Sequence, residues 1–166
     1  MIPAKYYENE PKFPVCRNDV WLMVTRFNDE TYEENRNYCE KYKWPCLYSN
    51  PSRLHRGINP GAKVFILELN IVQNTIVGIG EICNTVDYNH YKIYTDLSFN
   101  KGYNYRGVRH MKRENVSDQQ CMESLDGICC KGRGHLKRGV SMSLFPIRIL
   151  NGCYKNNLDV IEKLEE

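Results

Sequence analysis

The chain has 166 residues, a formal net charge of +3 at pH 7 and 42% hydrophobic residues. This length is enough for one domain with its own core, and the ordinary apolar content excludes a disordered chain. No stretch approaches the roughly 20 apolar residues of a membrane span, and the opening MIPAKYYENEPKFP lacks the basic and apolar regions of a secretion signal. We therefore expect a single intracellular domain over residues 1–166, in the cytoplasm or the nucleus.

The first elements are an arm, a strand and a helix. Residues 1–18 contain three prolines and predict an irregular arm. The nearly all-apolar run Val20 to Phe27 predicts a strand that is covered on both faces. Asn28 or Asp29 can cap a polar surface helix that ends before Trp44. Trp44 then lies in a proline-rich loop, where it either fills the core or faces a ligand.

The most apolar part of the chain predicts a central hairpin. Its strands are Lys63 to Leu69 and Thr75 to Ile82, and Asn74 marks the reversal. Gly78 and Gly80 lie two residues apart, so both bare positions share one face of the second strand. Glycines inside a strand often mark a bulge, a barrel corner or a close approach. We expect a sharply curved hairpin of a small barrel, and an open-sheet hairpin is the alternative.

The rest of the chain predicts shorter elements. They are a strand at Tyr91 to Leu97, a strand at Phe99 to Val108, a helix at Val116 to Gly127, a strand at Val140 to Leu150 and a C-terminal helix within 156–166. Ser117 or Asp118 can cap the first of these helices, and Gly127 is expected to end it. Pro146 places the last strand at an edge or a bulge.

The 8 cysteines have irregular spacing, and we expect reduced thiols rather than a disulfide framework. A zinc site built from Cys121, Cys129, Cys130 and His135 is an alternative. However, the chain has no C-x-x-C pair, which structural zinc sites commonly use. We expect no metal and no cofactor.

Basic residues concentrate in Lys101 to Arg113 and Lys131 to Arg138, whereas acidic residues concentrate in Asp29 to Glu40 and Asp159 to Glu166. Such asymmetry favours a surface that binds a polyanion, although basic loops can also simply be solvated. The segment KGRGHLKRG lacks the spacing of a Walker loop, but its glycines would let cations and backbone amides contact phosphates.

Aromatic residues alternate with cations in the same region, a mixture that stacks unpaired bases while following phosphates. These residues are Tyr91, Tyr94, Phe99, Tyr103 and Tyr105, with Lys101, Arg106 and Arg109 between or beside them. No GxSxG or HExxH motif is present. Glu68, Glu81 and Asp87 could act as bases, but single carboxylates at strand ends are usually solvated. We therefore expect that the protein is not an enzyme.

Several segments resemble the PUA-like superfamily, especially its EVE and YTH groups. WLMVTRFNDETYEEN resembles the opening strand and capped first helix, and KWPCLYSNPSRL resembles the segment that carries a tryptophan after that helix. GAKVFILELNIVQNTIVGIGEICNTVDYN resembles the YTH hairpin, and FNKGYNYRGVRHMKRENVSD and HLKRGVSMSLFPIRIL resemble the later strands. The resemblance implies an α+β fold, with a small curved β-barrel flanked by short helices.

The resemblance also implies binding of RNA or DNA around one base, often modified, in a pocket. In YTH domains that pocket is an aromatic cage for a methylated adenine. Trp44 matches the first cage tryptophan by position. The second position falls within Asp87 to Asn100, where this chain has only Tyr91, Tyr94, Leu97 and Phe99. The resemblance therefore implies a base pocket whose cage is built differently.

We expect a domain that binds RNA or single-stranded nucleic acid and accommodates one base, modified or not, in an aromatic pocket. The expected pocket residues are Trp44, Thr25, Arg26, Asn28, Ser49 and Asn50. The expected phosphate contacts are Lys101, Arg106, Arg109, Lys112, Arg113, Arg133, Lys137 and Arg138. The alternatives are an enzyme acting on nucleic acid or nucleotides and an adaptor whose basic face binds an acidic protein. The Asn-, Tyr-, Ile- and Lys-rich composition is compatible with an AT-rich genome, including a viral one.

Overall fold

The structure is a computed structural model that describes the backbone of Cys16–Arg17 and residues 20–100, 102–139 and 142–146. Its strands are β1 (Cys16–Arg17), β2 (Val20–Phe27), β3 (Leu47–Asn50), β4 (Lys63–Asn70), β5 (Thr75–Cys83), β6 (Tyr103–Arg106), β7 (Arg109–Lys112) and β8 (Ser143–Leu144). Its helices are α1 (Asp29–Tyr42) and α2 (Gln119–Cys130), with 3-10 turns at Leu97–Asn100 and Arg113–Asn115. The expected α+β class is confirmed.

The strands form one mixed sheet and one small antiparallel sheet. The mixed sheet has the order β1-β2-β4-β5-β7, and β8 also pairs with β2. β2 and β4 run parallel, whereas the other pairs of this sheet are antiparallel. β3 pairs with β6 in the second sheet. The strand pairs in the described part of the chain do not close into a barrel, so barrel closure stays a prediction.

The core lies along β2, β4 and β5, the most apolar segments. Leu22, Phe65, Ile66, Leu67 and Ile82 are among its fully buried side chains. Burying one such side chain stabilises the fold by about 1.5–3 kcal/mol, which explains why the two longest apolar runs form the centre of the sheet. The confirmed hairpin of β4 and β5 reverses at Asn74, whose φ of 57° is left-handed, and its register slips between Glu68 and Leu69.

α1 begins at a capping box. Asn28 accepts a hydrogen bond from the Thr31 amide through its side chain, and the Thr31 hydroxyl accepts one from the Asn28 amide. The helix ends at Lys43, which adopts the left-handed conformation. On its buried face, Asn35 donates a hydrogen bond of 2.8 Å to the carbonyl of Leu47. This contact fixes β3 beside the helix.

Two expectations about element boundaries were wrong. Gly127 does not end α2, which continues to Cys130 because Leu125, Cys129 and Cys130 of this helix are all buried. One glycine costs a helix only about 1 kcal/mol. The expected strand at Tyr91 to Leu97 is irregular.

The side chain of Asn100 explains why residues 91–97 are not a strand. Its Oδ1 accepts hydrogen bonds from the amides of Ile93 and Tyr94, and its Nδ2 donates to the Tyr94 carbonyl. These bonds take the place of the ladder that a neighbouring strand would supply. The expected strand at 99–108 is likewise limited to β6, because the 3-10 turn occupies its beginning.

Other expectations fall partly or wholly outside the described residues. Apart from β1, the arm at 1–18 lies outside them, as does the C-terminal helix within 156–166, and β8 is the described part of the last strand. Among the described residues, Cys39, Cys46, Cys83 and Cys130 are free thiols. The described residues contain no group of three potential metal ligands. Neither described helix is long and apolar enough to cross a membrane.

Candidate nucleic-acid interface

A cavity of about 390 Å³ opens where the end of β2, the start of α1, β3 and the first 3-10 turn meet. This volume is within the range of pockets that hold small organic ligands. Four of the expected pocket residues line it: Thr25, Arg26, Asn28 and Ser49. They come together because β2 leads directly into the cap of α1, while α1 holds β3 alongside.

Tyr48 lies at the cavity and is only 2% exposed. Its hydroxyl donates a hydrogen bond of 2.6 Å to Glu68 Oε2, and Glu68 Oε1 lies 2.8 Å from His110 Nε2. Glu68 is fully buried, so the expectation that it is solvated was wrong. Burial raises the pKa of Tyr48 well above its usual value. The phenol therefore remains protonated and can donate to the carboxylate.

Tyr94 and Phe99 supply the other aromatic surfaces of the cavity, together with Phe27. The Tyr94 and Phe99 rings are edge to face, with centroids 6.2 Å apart. The Tyr94 hydroxyl accepts a hydrogen bond from Asn35, and burial raises the pKa of Tyr94. Phe99 is 49% exposed, so its ring forms part of the mouth. Both residues fall in the segment that the resemblance marked for the second cage position.

Sequence reasoning missed Tyr48. The signal was present, because LYSN is a short strand-like run that follows α1 after a short connection, and Tyr48 precedes the expected pocket residue Ser49. Matching the tryptophan by position instead selected Trp44. Trp44 is not one of the described residues that line the cavity.

Trp44 belongs to a separate aromatic cluster. Its ring is stacked on that of Tyr42 at 5.6 Å and makes an edge contact with Tyr91 at 4.9 Å. The guanidinium of Arg106 lies 5.3 Å from the centre of the Trp44 ring. The structure therefore brings one expected pocket residue and one expected phosphate ligand together at a second place.

Asn50, the remaining expected pocket residue, is 1% exposed and does not line the cavity in the described structure. Its Nδ2 donates to the carbonyl of Ser52, and its Oδ1 accepts from the amide of Met142. The amide side chain thus connects β3 with the segment that leads into β8, and both of its ends are engaged.

Two polar groups at the cavity are available to a ligand. The Thr25 hydroxyl and the Asn28 Nδ2 make no hydrogen bond within the part of the chain that the structure describes. Arg26 is engaged instead: its Nε donates to the carbonyl of Leu136 and its Nη2 donates to Ser143. Burial lowers the pKa of Arg26 from its ordinary value. Arg26 therefore attaches the basic loop 131–139 to β2.

The expected phosphate ligands are divided among several places. Arg133 and Arg138 are exposed in the loop 131–139, and Gly139 at its end lines the cavity. In the same loop, Lys137 Nζ donates to Asn74 Oδ1. These three cations belong to one loop that ends at the cavity lining, and we call them the basic edge.

The other cations are occupied or distant. Arg109 forms an ion pair of 2.9 Å with Glu81. Arg113 donates to both Asp126 and the carbonyl of Ile76. Lys112 borders a shallow hollow beside α1 that also contains acidic side chains. Lys101 lies outside the described residues.

No family model matches the chain, and no curated protein matches it. The solved structures that are similar to it include two YTH domains. One is the YTH domain of Zygosaccharomyces rouxii MRB1 in complex with N6-methyladenosine RNA, with a TM-score of 0.40 and 11% identity over 90% of this chain and 93% of that one. The other is the Pho92 YTH domain in complex with m6A, with a TM-score of 0.39 and 15% identity over 89% of this chain and 90% of that one. Because these scores are low, the function of this chain must be inferred from its own geometry.

Proposed function

We propose that the protein is a PUA-like domain of the EVE or YTH type that binds RNA or another single-stranded nucleic acid and holds one base in the cavity. The observation that carries this proposal is the convergence of Thr25, Arg26, Asn28 and Ser49 on one cavity. The sequence alone also predicts these four residues as part of a base pocket. Aromatic walls and available polar groups at the same cavity are what an unpaired base requires.

The lining offers both stacking and hydrogen bonding. A base that stacks on an aromatic side chain gains about 1–3 kcal/mol, whichever base it is. The Thr25 hydroxyl and the Asn28 Nδ2 can then pair with the polar edges of the ring. Pro51 and Ile71 make part of the wall apolar, which would accommodate a methyl group on the base. The proposal therefore includes a modified base.

Charge around the cavity favours one direction of approach for the strand. The basic edge formed by Arg133, Lys137 and Arg138 leads to the cavity through Gly139. The first turn of α1 carries the acidic residues Asp29 and Glu30. Phosphates are attracted to the basic edge and repelled by these carboxylates, so we propose that the strand crosses the basic loop.

The buried chain of Tyr48, Glu68 and His110 is the feature that would favour an enzyme. However, Glu68 is fully buried and already bonded to both neighbours, so it is not presented to a ligand. A general base must reach the proton that it removes. These three hydrogen-bonded side chains therefore support the cavity wall, and we propose that the protein binds nucleic acid without turnover.

The experiment compares Phe99→Ala with Leu97→Ala. Leu97 is 61% exposed in the same 3-10 turn, but it does not line the cavity among the described residues, so it is a matched control. Fluorescence polarisation with single-stranded RNA and DNA, each plain or methylated on adenine or cytosine, is measured at two salt concentrations. We expect Phe99→Ala to weaken binding by about 1–3 kcal/mol and Leu97→Ala to leave it unchanged.

Higher salt should weaken binding by both wild type and variants, because phosphate contacts release counterions. If Phe99→Ala and wild type bind every probe with equal affinity, the proposal that a base binds in the cavity is wrong. Turnover of a labelled oligonucleotide would favour the enzyme, and absence of binding even at low salt would favour the adaptor.

A further inference from the structure

The C-terminal end of α1 carries an exposed aromatic face outside the cavity lining. Tyr42 is 46% exposed and lies stacked on the half-buried Trp44, with an interplanar angle of 28°. Tyr38 tilts against Tyr42 with centroids 4.6 Å apart. We call Tyr38, Tyr42 and Trp44 the aromatic platform. Its rings are held in place by their neighbours, so a planar ligand would meet a preorganised surface.

Cations already lie against both rings of the stacked pair. Lys41 Nζ is 5.4 Å from the centre of the Tyr42 ring, and the Arg106 guanidinium is 5.3 Å from that of Trp44. An exposed cation–π contact is weaker than the stacking of a base on an aromatic ring. A base can therefore displace the exposed side chain of Lys41 from Tyr42, and the ammonium then becomes available to a phosphate.

Acidic groups lie near the platform as well. Tyr91 donates a hydrogen bond to Asp87, and Arg106 is close enough to favour the charged form of this carboxylate. Burial raises the pKa of Asp87, but hydrogen bonds from Tyr91 and Asn89 outweigh it and lower the pKa. Asp87 therefore offsets part of the Arg106 charge. The exposed Lys41 and Lys43 remain the cations that a phosphate can approach.

The platform is joined to the cavity through one side chain. Tyr94 lines the cavity and also packs against the buried cluster of Cys39, Leu47, Tyr91 and Ile93, to which Tyr38 and Trp44 belong at the surface. The cavity and the platform therefore both adjoin this buried cluster. One strand could occupy both if its flanking nucleotides extended beyond the cavity.

We propose that the aromatic platform is a second stacking site, which takes an unpaired base flanking the one in the cavity. This inference rests on the proposed function, because it assigns both bases to the same strand. Tyr42 supplies the stacking surface, Trp44 supports it from behind, and Lys41 contacts the adjacent phosphate. Stacking of this kind tolerates any base, so the site adds affinity and length dependence rather than sequence preference.

The test uses an oligonucleotide of about nine nucleotides and one of about three, which is too short to span both sites. The variants are Tyr42→Ala, Tyr42→Phe, Phe99→Ala and the control Tyr88→Ala, whose side chain is 77% exposed outside both sites. We expect Tyr42→Ala to weaken binding of the long probe at least about fivefold and to leave the short probe unchanged. Tyr42→Phe keeps the ring and should bind both probes like wild type, as should Tyr88→Ala. Circular dichroism checks that each variant is folded.

The results distinguish failure of the proposed base site in the cavity from failure of the proposed stacking site on the platform. If Tyr42→Ala binds the long probe like wild type, the platform is overturned, and a loss with Phe99→Ala still supports the cavity. If Tyr42→Ala weakens both probes equally, the platform is overturned as a flanking site. A loss with Tyr42→Ala but none with Phe99→Ala contradicts the shared strand and the proposed function. Binding of a proline-rich peptide that depends on Tyr42, with no effect of probe length, would also overturn the proposal.

Discussion

Gly78 and Gly80 of β5 pair with Glu68 and Ile66 of β4. A Cβ atom at Gly80 would lie 1.8 Å from the Tyr48 hydroxyl, and one at Gly78 would lie 2.3 Å from Glu68 Oε1. The spacing of the glycines predicted that one face was bare, and the structure supports a close approach there. The sequence could not reveal that Tyr48 and Glu68 fill the space, since they are distant along the chain.

Gly80→Ala should destabilise the fold, because the added methyl group collides with a buried and hydrogen-bonded phenol. We expect a loss of about 1–3 kcal/mol, the usual cost of overpacking. The matched control is Gly127→Ala in α2, where a Cβ would meet nothing within 4 Å. That change should stabilise by about 0.5–1 kcal/mol, since alanine is the better helix former. Urea unfolding measures both, and a Gly80→Ala variant as stable as wild type would refute the close contact.

Among the elements, α2 is joined to the sheet by the carboxylate of Asp126 as well as by its buried apolar side chains. Asp126 accepts hydrogen bonds from the amide of Ile76 and from Arg113, whose Nη2 lies 2.6 Å from the second oxygen. The Arg113 side chain is 21% exposed. Its guanidinium therefore has a structural role in holding the last 3-10 turn, β5 and α2 together. From sequence, Arg113 could not be distinguished from the other cations of its basic cluster.

Arg113→Ala should lower the free energy of unfolding by about 1–3 kcal/mol, because Asp126 loses its charged partner. It should leave the salt dependence of nucleic-acid binding unchanged, since the guanidinium is occupied. Arg138→Ala is the control on the basic edge, and it should leave the stability unchanged. It should reduce the slope of log K against log salt concentration by about the amount expected for one phosphate contact. The two roles would be contradicted if Arg113→Ala changed the salt dependence of binding and Arg138→Ala changed the stability.

For the whole molecule, the architecture was more predictable than the site. The apolar runs that became β2, β4 and β5 and the capped helix α1 were evident, because periodicity and capping are local signals. The cavity depends on side chains from β2, β3 and the segment around Phe99, which are far apart in the sequence. Four of its residues were expected from the sequence, but the position of Tyr48 depends on the pairing of β3 with β6.

The most direct test of the account maps where a single strand binds. A 15N-labelled sample is titrated with the single-stranded oligonucleotide that binds best in the polarisation panel, and the amide chemical shifts are followed. We expect the largest changes at Thr25, Asn28, Ser49, Phe99 and Gly139, around the cavity. Changes confined to the ion-paired end of the sheet, at Lys63, Glu81 and Arg109, with the cavity amides unmoved, would contradict the account.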